Sequence, residues 1–546
     1  MDAPSTPAAA PPLAAAPLTS YADLTRRQTI FTVAGMMLTL LLAAMDQTIV
    51  GVAMPRVVAS LDGFDRYPWV TTAYLLTSTV AVPVFARFSD LFGRKWLYLT
   101  GVVIFITSSW LCGAAGQIPV PLDGMNQLIV ARGLQGIGGG AIMGLTFTII
   151  GDLFAPAERG RFQGLFGAMF GLASVVGPVA GGWITDHLSW RWAFYVNAPL
   201  GLLAVAVLYI TFPHVRPQGG KRAIDYAGLV TLVCWITPLL LALSSATDRG
   251  WTDPMIVGLL ATAVVMLGVF LVAEARADHP LIPLTLFRIP TIALASVAVF
   301  LLGMGMFGMF IYLPLYLQAV LGMSAAASGS LFTPLIFSMI GSSIVVGQLI
   351  SKTGRYKVFA VGGAAVAAVG MVMLTQLGSD ATAVDIVQPL VILGLGFGAM
   401  QPIYALAVQN AAPPAEMGVA TASSQFFRSI GSTLGVALFG TLLLGIYHAG
   451  LAAAIPPGTP ESVARLFDNP IQLVQSQAAL TAQMAALPNG PALLDALMAA
   501  VRASLAQGMH VIFLGAAAVM AGAFVLNLLL PEVPLRAKPL VAVPQE

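Results

Sequence analysis

Charge is what this chain has least of. Asp, Glu, Lys and Arg make up 9% of its 546 residues, against about 25% in soluble domains, so most of its surface cannot face water. With 58% hydrophobic residues, it reads as a polytopic membrane protein. Cysteine is nearly absent. Cys112 and Cys234 sit in apolar segments, where a thiol acts as a small hydrophobe, and this excludes a disulfide framework and redox chemistry. The five histidines fall near span ends or in loops, without metal-ligand spacing or a catalytic cluster. Neither an enzyme, a metal site nor a cofactor is therefore expected. A formal charge of +2 supplies no basic face for nucleic acid, which leaves lipid as the partner surface. Residues 1–27 begin with an Ala/Pro-rich stretch lacking a positive n-region, which predicts a disordered cytoplasmic tail and no signal peptide.

What the chain has in abundance is long apolar runs. Fourteen runs of about 18 or more residues are separated by short polar or Pro/Gly breaks, each long enough to cross a bilayer. An even number returns both termini to one side. Of the 25 basic residues, 17, including every lysine, fall in loops on the N-terminal side, which predicts cytoplasmic termini. Two of those loops echo each other: Arg87-Phe-Ser-Asp90-Leu-Phe-Gly93-Arg94-Lys95 after span two, and Lys352-Thr-Gly354-Arg355-Tyr-Lys357 after span ten. Both need Gly for a tight turn, and their echo implies two related halves. The predicted fold is all-α. It has six-helix bundles over 28–213 and 290–531, an inserted two-helix hairpin over 223–275, and a cytoplasmic tail over 532–546.

Asp46 is the only acidic residue deep inside a predicted span. Arg27 precedes it by 19 residues, about 28 Å of helix, which places Asp46 in the outer half of span one. Span four runs the other way and places Arg132 at a similar depth. Two opposite charges stranded at one depth in hydrocarbon are expected to meet. A structural ion pair without proton traffic satisfies the same argument. Gly177-Pro178 predicts a kink in span five, and Gly171, Gly177, Gly181 and Gly182 predict close helix approach there. Arg428, in the inner third of span thirteen, is expected either to latch the cytoplasmic gate, by pairing with Asp90 or a helix end, or to snorkel.

Five segments together resemble a known family. Ala86-Arg-Phe-Ser-Asp90-Leu-Phe-Gly93-Arg94-Lys95 resembles the loop signature of the major facilitator superfamily, with Ala86 where Gly is usual. Arg132-Gly-Leu-Gln135-Gly136 is similar to its span-four motif, and Gly171 to Gly182 to its antiporter motif. Met45-Asp46-Gln47-Thr48-Ile-Val-Gly51 and Trp190-Arg-Trp192 to Gly201 resemble signatures of the 14-span drug:proton antiporter branch, with Gly51 where Asn is usual. The resemblance implies proton-coupled export of hydrophobic or amphiphilic compounds from a bacterial cytoplasm by alternating access. It also implies proton coupling by Asp46 and Arg132, and a cytoplasmic gate of Arg87, Asp90, Gly93, Arg94, Lys95 and Arg428.

For substrate contacts the expected residues are Gln47, Met304, Met309, Tyr312, Tyr316, Gln318, Gln401 and Tyr404, because Met adapts to varied shapes while Tyr and Gln supply sparse polar contacts. Packing explains the Met residues equally well. The partners expected are lipophilic small molecules, protons and the bilayer, around a monomer. The segment 447–507, too long for a simple linker, could cap the cavity, lie on the membrane or dock a periplasmic partner. Export of one endogenous lipid or metabolite remains open, with proton-coupled import ranked below it. A channel lacks its continuous polar lining.

Overall fold

The computed structural model describes residues 25–61, 66–213, 225–323, 325–378, 381–413, 416–454 and 490–535. The expected N-terminal tail up to residue 24, the C-terminal tail from 536 and the middle of the 447–507 segment lie outside them. The described residues form fourteen helices long and apolar enough to cross a membrane. They are α1 (Arg26–Leu61), α2 (Tyr67–Phe92), α3 (Arg94–Gly113), α4 (Gly124–Leu153), α5 (Pro156–His187), α6 (Asn197–Thr211, preceded by the single turn Trp192–Tyr195), α7 (Tyr226–Arg249) and α8 (Pro254–Arg276). The second series is α9 (Pro290–Ala319), α10 (Ala325–Thr353), α11 (Lys357–Leu374), α12 (Ala383–Ala411), α13 (Met417–Ala454) and α14 (Gly490–Leu529). A helix satisfies its interior backbone donors and acceptors within itself, which is why an apolar chain in lipid takes this form.

The repeat heard in the loops is repeated in the packing. α2 packs on α4, α3 on α4, and α1 on both α5 and α6; eight helices later, α10 packs on α12, α11 on α12, and α9 on both α13 and α14. The two basic turns carry the backbone the sequence asked for, with φ of 92° at Gly93 and 69° at Gly354, a region open to Gly at little cost. The halves meet along α2 against α13 and α5 against α10. Outside the α2–α13 seam, α7 of the α7–α8 hairpin packs over both helices. Trp235 there meets Phe426 edge-on with 5.9 Å between centroids.

Caps fix the helix ends where no packing does. Asp123 begins α4 by accepting from the Asn126 amide at 2.9 Å and from Arg66 at 2.8 Å, and these bonds hold its carboxyl below the usual range. Thr382 and Asp385 form a capping box at the start of α12.

Both described ends of the expected 447–507 segment are helical: α13 continues to Ala454 and α14 starts at Gly490, so the amphipathic stretch Pro491 to Leu505 lies on the last helix. Its apolar side is used at once: Leu497, Val501 and Leu505 are buried, as is Tyr447, and Gly450 admits Ser504. At 38 and 40 residues these helices run to nearly 60 Å at 1.5 Å per residue, about twice a hydrocarbon core.

Candidate functional site

α1, α4 and α6 bring three polar side chains onto Asp46 in the interior of the first half. Arg132 Nη1 donates to Asp46 Oδ2 at 2.6 Å, while Oδ1 accepts from Gln135 Nε2 at 2.8 Å and from Asn197 Nδ2 at 2.9 Å. Arg132 Nη1 also donates to Gln135 Oε1 at 2.7 Å, because residues three apart share one face of a helix. The guanidinium lies over the Tyr74 ring at 4.3 Å, and Asn197 is held in turn by Ser109 Oγ at 3.0 Å. Asp46 is 0% and Arg132 2% exposed. A buried pair persists when its remaining hydrogen-bonding capacity is met, and here three donors converge on one carboxylate. The ionised form is fully satisfied; a protonated carboxyl would turn an O–H toward a donor. Protonation therefore requires this amide set to rearrange.

Gln135 and Asn197 were both within quoted motifs, yet sequence reasoning assigned them no role. The signal was available for Gln135, three residues past Arg132; nothing local tied Asn197 to α1.

α5 connects this site to the other half. Thr48, two residues past Asp46, donates to the Ala173 carbonyl at 3.2 Å, and a methyl on Gly177 would overlap its hydroxyl. Gly181 admits Ile49, while Gly171 faces Ile336 and Ile340 of α10. Pro178 lies inside the helix. Gly182 departs from expectation. Nothing lies within 4 Å of where its Cβ would stand, so it mediates no close approach.

At the end where α1 begins, Arg94 pairs with Asp90, donates to Ser89 Oγ, and reaches Asp152 Oδ2 at 2.8 Å. Gly418 of α13 sits against this cluster; a Cβ there would lie 2.7 Å from Asp90 Oδ1 and 2.9 Å from an Arg94 nitrogen. Gln409 of α12 donates to the Phe147 carbonyl at 2.9 Å and accepts from Gln163 at 3.3 Å, so the halves are also tied by hydrogen bonds at this end. Arg87 is buried beside the cluster on α2. Lys95 is not part of it: its ammonium donates to the Tyr209 carbonyl at 2.8 Å, within the first half. Arg428 is not part of it either: it makes no ion pair with Asp90, and lies 6.0 Å over Phe170 in the space between the halves.

Gly418→Leu is expected to force these ends apart. Labelling of a cysteine placed at buried Ser424, in a background lacking Cys112 and Cys234, should then rise about tenfold with an impermeant maleimide, as a bias of about 1.4 kcal/mol would give; unchanged labelling would show that Gly418 does not seal this end.

Of the residues expected to contact substrate, Gln401 and Tyr404 line a small central cavity between the halves. Gln47 is exposed, and Met304 and Gln318 are half-buried. Met309, Tyr312 and Tyr316 belong elsewhere. Met309 is 0% exposed in the core of the second half, while Tyr312 donates to the Val436 carbonyl at 2.6 Å and Tyr316 to the Gly378 carbonyl at 2.8 Å. Their apolar side chains and single hydroxyls are used in packing α9 onto its neighbours.

The profile of the family described as Major Facilitator Superfamily matches residues 36–436. The multidrug transporter protein MdtP of Bacillus subtilis is 42% identical over 412 residues, covering 75% of this chain and 74% of that one. Puromycin resistance protein pur8 of Streptomyces alboniger is 35% identical over 419 residues, covering 76% and 81%. Among solved structures, the human organic anion transporter MFSD10 superimposes with a TM-score of 0.58 at 14% identity, covering 90% of this chain and 99% of that one; this likeness is one of fold.

Proposed function

The chain belongs to the major facilitator superfamily, and from that premise we propose that it is a proton-coupled exporter of hydrophobic or amphiphilic compounds. Its membrane is a bacterial cytoplasmic membrane, with the basic loops and both termini inside. The observation that carries the coupling is the buried Asp46–Arg132 pair with its Gln135 and Asn197 donors. The names of two relatives, for multidrug transport and puromycin resistance, support the direction and the breadth of substrate.

The mechanism follows from what each contact resists. With Gly418 seated on Asp90 and Arg94, and Gln409 bonded across the seam, the central cavity is closed to the cytoplasm and Asp46 is satisfied as a carboxylate. Taking a proton from outside disturbs the Gln135 and Asn197 bonds and loosens α1 from α4 and α6. Thr48 and Gly177 pass that shift from α1 to α5, and Gly171 passes it to α10 of the other half. Opening toward the cytoplasm then exposes the cavity to substrate, which shifts the equilibrium only by binding the two states unequally.

Inside-out membrane vesicles holding a pH gradient test this. Adding transported members of a panel of cationic, neutral and anionic amphiphiles is expected to discharge the gradient and to concentrate the compound inside. If no member moves in a gradient-dependent way, coupled export is wrong.

A further inference from the structure

The central cavity contains a cation with no counter-charge. Arg428 projects into it from α13; its Nε is buried without an acceptor, and among the described residues its guanidinium makes no hydrogen bond or ion pair. The contact with Phe170, at 6.0 Å from the ring centroid, is at the outer limit for cation–π attraction and satisfies none of five N–H donors. Arg132 shows what this protein does with a structural arginine: it is given a carboxylate, an amide oxygen and a ring. Arg428 is given only the ring.

Its surroundings repeat the message. Gln163 Oε1, Ser424 Oγ and Gln425 Oε1 line the same cavity and are likewise buried without partners. Four unsatisfied polar groups in one place are uncommon, since buried polar groups nearly always find partners. No carboxylate lines the cavity. In this closed state the cavity encloses about 20 Å³, room for one water, so any larger ligand enters when the halves part.

We propose that Arg428 is the recognition residue for an anionic head group, and that the exporter's preferred substrates are amphiphilic organic anions. The guanidinium fork pairs with a carboxylate or phosphate through two parallel hydrogen bonds. The Gln and Ser groups around it accept and donate to flanking polar atoms, and Phe147, Phe170 and Val299 cover the apolar part. Unpaired, the cation costs free energy that a bound anion recovers; a lipophilic cation finds repulsion instead. This rests on the export reading above, and deepens it by naming the substrate class.

The test is equilibrium binding to the purified protein, which needs no proton coupling, so its failure is distinct from failure of the export reading. Dansyl-undecanoate and its methyl ester differ only in the charged group, and dansyl fluorescence reports both. Wild type is expected to bind the acid at least about tenfold more tightly than the ester, the factor that roughly 1.4 kcal/mol confers. Arg428→Gln should bring the two within about twofold of each other by losing affinity for the acid alone, and Arg428→Lys should restore part of the preference as a point charge without the fork. Thermal unfolding of the variants reports whether they remain folded. Competition by phosphatidylglycerol in mixed micelles separates the sources of the anion: displacement of the acid identifies a lipid head group, and its absence a small organic acid. Equal affinity of wild type for acid and ester, or an unchanged preference in a folded Arg428→Gln, overturns the proposal.

Discussion

Asp46→Asn is expected to abolish gradient-driven accumulation in inside-out vesicles, down to the level of vesicles lacking the protein, while substrate binding persists. Asp46 receives Arg132 on one oxygen and Gln135 and Asn197 on the other, and it is the acidic group on which these donors converge. An asparagine cannot exchange a proton, and whichever way its amide lies, its NH2 faces at least one donor. Gln135 cannot simply rotate to accept it, since its own Oε1 already receives Arg132. The variant is thus fixed in one charge state and mildly strained. Asp46→Glu restores a titratable group one methylene too long and should recover part of the transport. Full gradient-driven transport by Asp46→Asn would show that this carboxylate carries no proton and that its pair with Arg132 is architectural.

Arg132→Met is expected to be the most destabilising single exchange at this site. Among the described residues it removes the only cation paired with a carboxylate that is 0% exposed, and losing one partner of a buried pair costs about 3–5 kcal/mol because the other charge stays behind. Replacing both, as Asp46→Leu with Arg132→Met, should return most of the lost stability, since a well-packed apolar pair of similar volume is often neutral. Neither protein should transport against a gradient. Thermal unfolding of the detergent-purified variants measures it. If Arg132→Met unfolds at the wild-type temperature, the carboxylate has another counter-charge and Arg132 does not hold it. The two exchanges separate roles: the first removes coupling and largely spares the fold, the second removes the fold's tolerance of the charge.

The part of this protein legible in its sequence was the part governed by one-dimensional rules. Lipid demands about 20 apolar residues per crossing, so fourteen spans could be counted, and the glycines of the basic turns announced themselves by a conformation few other residues adopt, at Gly93 and Gly354. Depth is also one-dimensional: a rise of 1.5 Å per residue put Asp46 and Arg132 at one level, where the structure joins them at 2.6 Å. What the sequence left unread at several positions was direction around a helix axis. Met309, Tyr312 and Tyr316 share α9 with residues nearer the cavity but face the core, because in a membrane helix apolar residues cover every side and periodicity no longer marks the buried one. Lys95 turns to Tyr209, and Gly182 has open space beside it, for the same reason.

By itself the sequence determined the number of crossings, the twofold repeat, the turns between spans and which charges are too deep to be left alone, since each follows from transfer free energies summed along the chain. The tertiary structure alone decided which amides complete the Asp46 site, that Gly418 and Gln409 close the seam, and that Arg428 faces a cavity instead of a carboxylate. Those depend on the rotation and approach of helices far apart in the chain, settled by packing against neighbours that no local pattern specifies.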